Sequence, residues 1–123
     1  MQHSSIHHRL QVLAVWAIAS LIGLLIFNLG GLDTPQTYWS AAKPSYLQHV
    51  AFWDSEWYYR VATQGYPDST SLPIGQDGRV GQNTWAFMPI YAYLSGGLAG
   101  LLSANYYTCA VVVAWLGSAL AAL

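Results

Sequence analysis

Charged side chains are scarce in this sequence of 123 residues. Only 7% of the residues are charged and 54% are hydrophobic, whereas soluble domains carry about 25% charged residues. So few charges cannot cover the surface of a compact water-soluble domain. Four basic residues against five acidic ones give a net charge of −1, which excludes an electrostatic case for nucleic acid as a partner. The composition therefore predicts an integral membrane protein whose partner is the lipid bilayer.

Cysteine is nearly absent as well. Cys109 is the single cysteine, so an internal disulfide is excluded, and its apolar neighbours predict a small packing residue. Aromatic residues are plentiful by contrast, with 6 Trp and 9 Tyr. Both residue types favour the membrane–water boundary.

Three uncharged apolar segments predict three transmembrane helices, at residues 10–32, 86–102 and 106–123. The first has 23 residues, enough at about 1.5 Å each to cross a hydrocarbon core of roughly 30 Å. A secretory signal peptide is the alternative for it, but such a peptide has an apolar region of only about 7–15 residues and a cleavage site with small residues. The predicted fold class is all-α: polytopic transmembrane helices, with an interfacial amphipathic helix in the first external loop, residues 33–85.

The few basic residues predict the orientation of the chain. Arg9 precedes the first span, whereas Lys43 is separated from its end by ten residues, so residues 1–9 are predicted to be a cytoplasmic tail. The location expected is a cell membrane crossed several times, the bacterial plasma membrane in the first place or the endoplasmic reticulum membrane in a eukaryote. The histidines of the tail have no acidic or cysteine partner for a metal site. Because Leu123 closes an apolar run without a flanking anchor, we expect this chain to be the N-terminal portion of a longer polytopic protein.

Residues 46–64 of the loop are predicted to form the interfacial helix. Apolar side chains recur there at three- and four-residue spacing and form one stripe. The stripe consists of Leu47, Val50, Trp53, Trp57 and Val61. Gly65 and Pro67 are expected to end the helix. Glu56 and Arg60 are four residues apart in the order that favours an ion pair, and residues 69–82 read as an irregular loop.

Asp54 is the candidate catalytic residue of this helix. It lies between Trp53 and Trp57, and we expect that packing between indoles removes water from the carboxylate and favours its action as a base. Asp54 and Glu56 could also hold a divalent or organic cation, although no further metal ligand supports this and no cofactor is indicated. A solvated polar face of an amphipathic helix explains the same residues more simply if spacing alone is considered.

Two segments resemble a known family. The stretch from Phe52 to Pro67, FWDSEWYYRVATQGYP, resembles the first external loop of the PIG-V-like mannosyltransferases, which are polytopic glycosyltransferases of the GT-C superfamily. The stretch from Ala86 to Tyr91, AFMPIY, is similar to the Phe-Phe-Pro-Leu-Tyr-Pro segment that opens their next helix. The order and spacing of the two segments agree with the family, whose full members have many more spans than this chain.

The resemblance implies a reaction and roles for particular residues. It implies transfer of a sugar, such as mannose, from a polyprenyl-phosphate donor to an external acceptor, with inversion. Asp54 matches the acidic residue thought to activate the acceptor hydroxyl. Arg60 would face the donor phosphate or else pair with Glu56. Glu56 itself lies at a position where the family pattern varies. Tyr58 would seat the helix in the interface or contact the sugar.

Two other classes of function stay open. A small multi-span membrane protein could act by helix packing without catalysis, because Gly96, Gly100 and Gly117 offer small residues for close approach. A transporter fragment is the second alternative, since Gly and Pro are common within the spans of transporters. Neither alternative accounts for the motif around Asp54.

Overall fold

The structure, a computed structural model of the chain, describes residues 2–38 and 40–123, and side chains from Ile6 onward within these ranges. The described residues form five α-helices and one short 3₁₀ helix. These are α1 (Gln2–Leu32), α2 (Tyr46–Val50), α3 (Asp54–Gln64), the 3₁₀ helix Thr84–Ala86, α4 (Pro89–Leu102) and α5 (Tyr106–Ala122). The described residues contain no strand, only an isolated antiparallel bridge between Ile74 and Val80. The prediction of an all-α fold is confirmed.

The chain divides into two compact units. The first consists of the residues up to His49 together with Ala114–Leu123, and the second is Val50–Val113. Helix α5 therefore contributes its first half to the second unit and its second half to the first. The candidate site lies entirely within the second unit.

Helix α1 is the long helix of the first unit. Within the described residues it alone is long and apolar enough to cross a membrane, over the 27 residues Ile6–Leu32. The uncharged run from residue 10 to residue 32 contains no proline, so nothing in it interrupts the helix. Its end at Leu32 agrees with the predicted boundary. The helix itself starts earlier, at Gln2, and so includes residues 2–9 of the predicted tail.

Trp16 connects α1 to α5 within the first unit. Its indole Nε1 donates to Ser118 Oγ at 3.0 Å, and its ring meets Trp115 edge-on at 6.4 Å. The two contacts join α1 to the end of α5 within this unit. Near the end of α1, the backbone of Pro44 packs against Gly31. A Cβ at Gly31 would lie 2.7 Å from the Pro44 carbonyl oxygen. Only glycine fits there without a shift.

Helices α4 and α5 occupy most of the second and third predicted spans. Pro89 opens α4, where its fixed φ suits the first helical position, so α4 begins three residues after the predicted start. Asn105 caps α5 by accepting from the Tyr107 amide at 2.9 Å. With 14 and 17 residues, the helices are about 21 and 26 Å long, somewhat short of a core of roughly 30 Å. Their helical structure is as predicted.

The core of the second unit is small and lies where α3 packs on α4 and where α4 meets the start of α5. Its buried residues are Val61, Ala92, Ser95, Tyr106, Cys109 and Ala110. Close approach depends on Gly96, because a Cβ there would lie 3.0 Å from the Ala62 Cβ. Tyr91 of α4 donates its hydroxyl to the Ala110 carbonyl at 3.1 Å. Cys109 is 3% exposed, which confirms that it is a packing residue.

The single helix predicted for residues 46–64 is wrong. The chain leaves the helix after Val50 and resumes it at Asp54, and Trp53 adopts φ 56° and ψ −121°, a conformation that a bulky side chain rarely takes. The break splits the predicted apolar stripe: Trp53 is 76% exposed, whereas Val61 is fully buried. The predicted end at Gly65 is confirmed, with φ 72° and its amide bonded to the Val61 carbonyl.

Candidate functional site

Asp54 is the first residue of α3, and its carboxylate is exposed. A negative charge in the first turn of a helix is favourable because the amide groups there point outward unpaired. The expected packing of Asp54 between two indoles is wrong. Trp53 precedes the helix and is itself largely exposed, because the break at residues 51–53 turns it away from the face that it would share with Trp57 in a continuous helix.

Glu56 and Arg60 form the ion pair predicted from their spacing. Glu56 Oε1 accepts from Arg60 Nη2 at 2.5 Å and from Nε at 3.2 Å. Both side chains are about half exposed, at 57% and 43%, so the pair stabilises the helix by only about 0.2–1 kcal/mol. The Arg60 guanidinium also lies 4.9 Å above the Trp57 ring, a cation–π contact that fixes its direction.

Trp57 and Tyr58 join α3 to the second segment of the family resemblance. Trp57 stacks on Phe87 at 5.8 Å with 9° between the rings. Tyr58 meets the same Phe87 edge-on at 5.2 Å and Tyr91 at 5.0 Å. Such ring pairs stabilise by about 0.5–1.5 kcal/mol each beyond the area that they bury. The ring of Tyr58, predicted to contact substrate or lipid, thus packs against other rings.

Tyr66 adds a second connection between the two segments, one that the sequence reasoning missed. Its hydroxyl donates to the Phe87 carbonyl at 2.6 Å, and its ring stacks on Trp85 at 4.6 Å. Partial burial raises the pKa of the Tyr66 phenol. Trp85 in turn donates its indole N–H to the Pro67 carbonyl at 2.9 Å. The aromatic residues in both segments were visible in the sequence, but their pairing was not.

An open groove of about 470 Å³ lies beside α3; we call it the α3 groove. One wall carries Trp57, Arg60 and Gln64, which follow each other at helical spacing. Residues brought back by the loop form the other wall: Gly65, Pro67, Ser71, Pro73, Gln82, Asn83 and Thr84. Sequence reasoning missed this groove because its walls are separated by up to 27 residues of chain. Asp54, Glu56 and Tyr58 are not among its lining residues.

Internal hydrogen bonds hold the loop wall in place. Asn83 accepts from the Trp85 amide at 2.9 Å and donates to the Gly81 carbonyl at 2.9 Å. Thr84 donates its hydroxyl to the Gly65 carbonyl at 3.1 Å. These polar groups of the loop wall are therefore paired within the chain, as Arg60 is paired with Glu56 on the other wall.

Among the residues whose side chains the structure describes, no cluster of three or more His, Cys, Asp or Glu residues could hold a metal ion. His3 lies outside these residues. Of the carboxylates considered for a cation, Glu56 is paired with Arg60.

Comparison of the chain with models of protein families, with curated proteins and with solved structures finds no match.

Proposed function

We propose that this chain acts as an integral membrane glycosyltransferase of the mannosyltransferase type, transferring a sugar from a polyprenyl-phosphate donor to an acceptor outside the cytoplasm. The observation that carries the proposal is the contact between the two family-like segments. Trp57 and Tyr58 pack on Phe87, and Tyr66 bonds to the backbone of the same residue. Residues that are distant in sequence and carry the resemblance thus belong to one local structure that holds the start of α3.

The proposed topology has three crossings, made by α1, α4 and α5, with residues 33–85 outside. The length and apolar surface of α1 support the first crossing. The hydrogen bond from Trp16 to Ser118 brings α1 and the end of α5 side by side, as two neighbouring crossings would be. The shorter α4 and α5 would cross where the bilayer thins or where flanking residues reach to the boundary.

Asp54 is the proposed catalytic base. Its exposed carboxylate would take the proton of an acceptor hydroxyl while that oxygen attacks the anomeric carbon of the donor sugar. The new bond forms between the acceptor oxygen and the anomeric carbon. The bond from that carbon to the phosphate oxygen breaks, and polyprenyl phosphate leaves with the electron pair. Attack from the side opposite the phosphate inverts the anomeric centre.

Arg60, Glu56 and Tyr58 are the proposed supporting residues. Arg60 Nη1 is left over by the pair with Glu56 and would serve a substrate oxygen. Glu56 fixes the guanidinium, and Tyr58 holds the start of α3 against Phe87 and Tyr91. Both of these act through other residues, so they are positioning residues.

The test is the substitution Asp54→Asn in the membrane-bound protein. The amide keeps the size of the side chain and removes the basic oxygen, so transfer from polyprenyl-phosphate mannose should fall by about 10²-fold or more. The amount of protein in the membrane should stay the same, because Asp54 is exposed. Glu56→Gln is the matched control and should cost much less. If the Asp54→Asn variant transferred sugar at the full rate, Asp54 would not be the catalytic base.

A non-catalytic membrane protein that acts by helix packing is the second candidate. The observation favouring it is open space around Gly97 and Gly100 of α4 and Gly117 of α5, where a Cβ would meet nothing within 4 Å. Small residues facing open space allow another helix to approach closely. Leucine at Gly100 would then abolish function, whereas Asp54→Asn would leave it intact, the opposite of the result expected for the enzyme.

A further inference from the structure

Trp53 occupies a backbone position that normally belongs to glycine. Its φ of 56° and ψ of −121° are those of the first central residue of a type II′ turn. The Ser55 amide closes this turn by donating to the Phe52 carbonyl at 3.3 Å. Glycine is usual at such a position because it has no Cβ to crowd the backbone at positive φ. The backbone at Trp53 is therefore strained, as segments that switch between two conformations often are.

The strain at Trp53 has no explanation in helix capping. Of the described non-glycine residues with positive φ, which also include Lys43 and Ser103, Trp53 alone is aromatic. Ser103 has φ 50° and ψ 39° at the end of α4, the left-handed conformation with which many helices end. Trp53 stands instead at the start of α3, where helices begin without a positive φ.

The residues of the break favour a helix. Residues 51–53 are Ala-Phe-Trp and contain neither glycine nor proline, and alanine has the highest helix propensity of all residues. Helix α2 ends directly before them at Val50, and α3 begins directly after them at Asp54. The strained turn thus competes with one further turn of helix at the start of α3.

That further turn would move Trp53 onto the face of α3 that lines the α3 groove. In the structure Trp53 is 76% exposed and is not among the groove residues, whereas Trp57, Arg60 and Gln64 form the helical wall. Residue 53 is four positions before residue 57, so a continuous helix places both side chains on one face, one turn apart. All of these residues belong to the second unit.

We propose that residues 51–53 are a two-state segment that adds Trp53 to the α3 groove. In the turn state, which the structure shows, the indole is held away from the groove. In the helical state it extends the helical wall by one aromatic side chain, and Asp54 changes from the first residue of α3 to an interior one. Both states are defined by the backbone alone, so the inference does not depend on sugar transfer.

The first experiment compares Trp53→Gly with Trp53→Ala in lipid nanodiscs. Both variants lack the indole and differ only in Cβ, so glycine relieves the strain of the turn whereas alanine keeps it and favours the helix. The ratio of helix to turn should be about 20-fold or more higher in Trp53→Ala. Carbon-13 chemical shifts of the Ala51 and Phe52 backbones measure this ratio.

The control for this comparison is Ser103→Gly, which changes a positive-φ residue at the other end of the unit and should leave the shifts of Ala51 and Phe52 as they are. Identical shifts in Trp53→Gly and Trp53→Ala, whether those of a turn or of a helix, would overturn the two-state segment.

The second experiment locates the indole. The chain is produced with fluorinated tryptophan, and a nitroxide is attached at Ser71→Cys on the loop wall of the groove, with little background because Cys109 is buried. Visits of Trp53 to the groove should enhance the relaxation of its fluorine signal. Ala51→Gly disfavours the helix about fivefold, so the enhancement should fall severalfold, whereas Ala104→Gly, outside the helices, should not change it.

An enhancement that Ala51→Gly leaves unchanged would show that Trp53 does not reach the groove through a helical state, and the proposal would fail. Neither experiment measures transfer, so this failure is distinct from the failure of the proposed reaction. Loss of the proposed reaction would likewise leave the chemical shifts and the relaxation enhancement as expected here.

Discussion

Asp68 is the carboxylate with the most complete set of hydrogen bonds in the loop. Its Oδ1 accepts from the Thr70 hydroxyl at 2.8 Å, from the Ser71 amide at 2.9 Å and from the Thr70 amide at 3.1 Å. A side chain that bonds to the backbone two and three residues later builds a local turn. This turn leads the chain from Pro67 into the wall of the α3 groove.

These bonds predict how the turn responds to acid. The hydrogen bonds from the Thr70 side chain, and then those from Ser71, lower the pKa of Asp68 from its ordinary 3.8. The stabilisation is therefore complete above about pH 3.8 and is lost as the pH falls through the lower pKa of the folded state. A carbon-detected NMR titration of the Asp68 carboxyl should give a midpoint below 3.8.

The Ser71 amide signal should move with the same midpoint, because that amide bonds to the titrating oxygen. In the control variant Asp68→Asn the acceptor remains without its charge, and the movement should disappear. A midpoint at or above the ordinary value would show that the turn is not formed in solution.

Residues close in sequence were the easier part of the site to predict. Glu56 and Arg60 pair as their spacing predicted, because α3 is regular across both of them. The surroundings of Asp54 were predicted incorrectly, since they depend on the backbone at Trp53. Gln64 and Gln82 line the same groove although they lie 18 positions apart in the chain, and nearby Tyr66 and Thr84 bond to backbone groups 21 and 19 residues away. Nothing in periodicity or composition indicates such pairings.

At the scale of elements, α3 and α4 pack closely through one glycine. A Cβ at Gly96 would lie 3.0 Å from the Ala62 Cβ, whereas its neighbour Gly97 faces open space. Both lie in the middle of α4, so alanine at either position gains the same helix propensity, about 1 kcal/mol. Only alanine at Gly96 must push α3 away.

We therefore expect Gly96→Ala to be less stable than Gly97→Ala, by about 1–3 kcal/mol, the usual cost of adding a methyl group to a packed contact. Thermal unfolding in the same detergent, followed by circular dichroism, measures the difference directly. Equal stabilities would mean that α3 shifts by a few tenths of an ångström without cost, and that the α3–α4 contact does not fix the groove.

Element boundaries are set by single residues at several helix ends, and the predicted ends at Gly65 and before Tyr106 agree with them, whereas Pro89 opens α4 three residues after the predicted start. Pro89, Gly65 and Asn105 each mark a helix end, through a fixed φ, a positive φ and a capping side chain. The break between α2 and α3 has no such marker. Apolar spacing continues through Trp53 at helical intervals, so the pattern favoured one helix where the chain forms two.

At the scale of the whole molecule, the proposed topology can be tested with thiol chemistry. The native Cys109 is buried, so its background labelling should be low. A cysteine at Gln76, at the exposed tip between the bridged residues Ile74 and Val80, should react with an impermeant maleimide in intact cells. A cysteine at the exposed His8 should react only after the membrane is opened, because Arg9 favours a cytoplasmic start.

The opposite pattern, with His8→Cys labelled in intact cells and Gln76→Cys protected, would invert the topology and place Asp54 on the wrong side for an external acceptor. Labelling of both positions in intact cells would exclude a membrane crossing by α1 between them.

The arrangement around Trp57 also predicts that ligand binding can be followed by the intrinsic fluorescence of this tryptophan. A cation lies over the indole at 4.9 Å, and that cation is the group proposed to meet the ligand. Indole emission responds to a nearby charge, so a ligand that draws Arg60 away from the ring changes the fluorescence of this one residue. Removing the other tryptophans, of which the chain has five, would leave an intrinsic optical sensor that needs no attached dye.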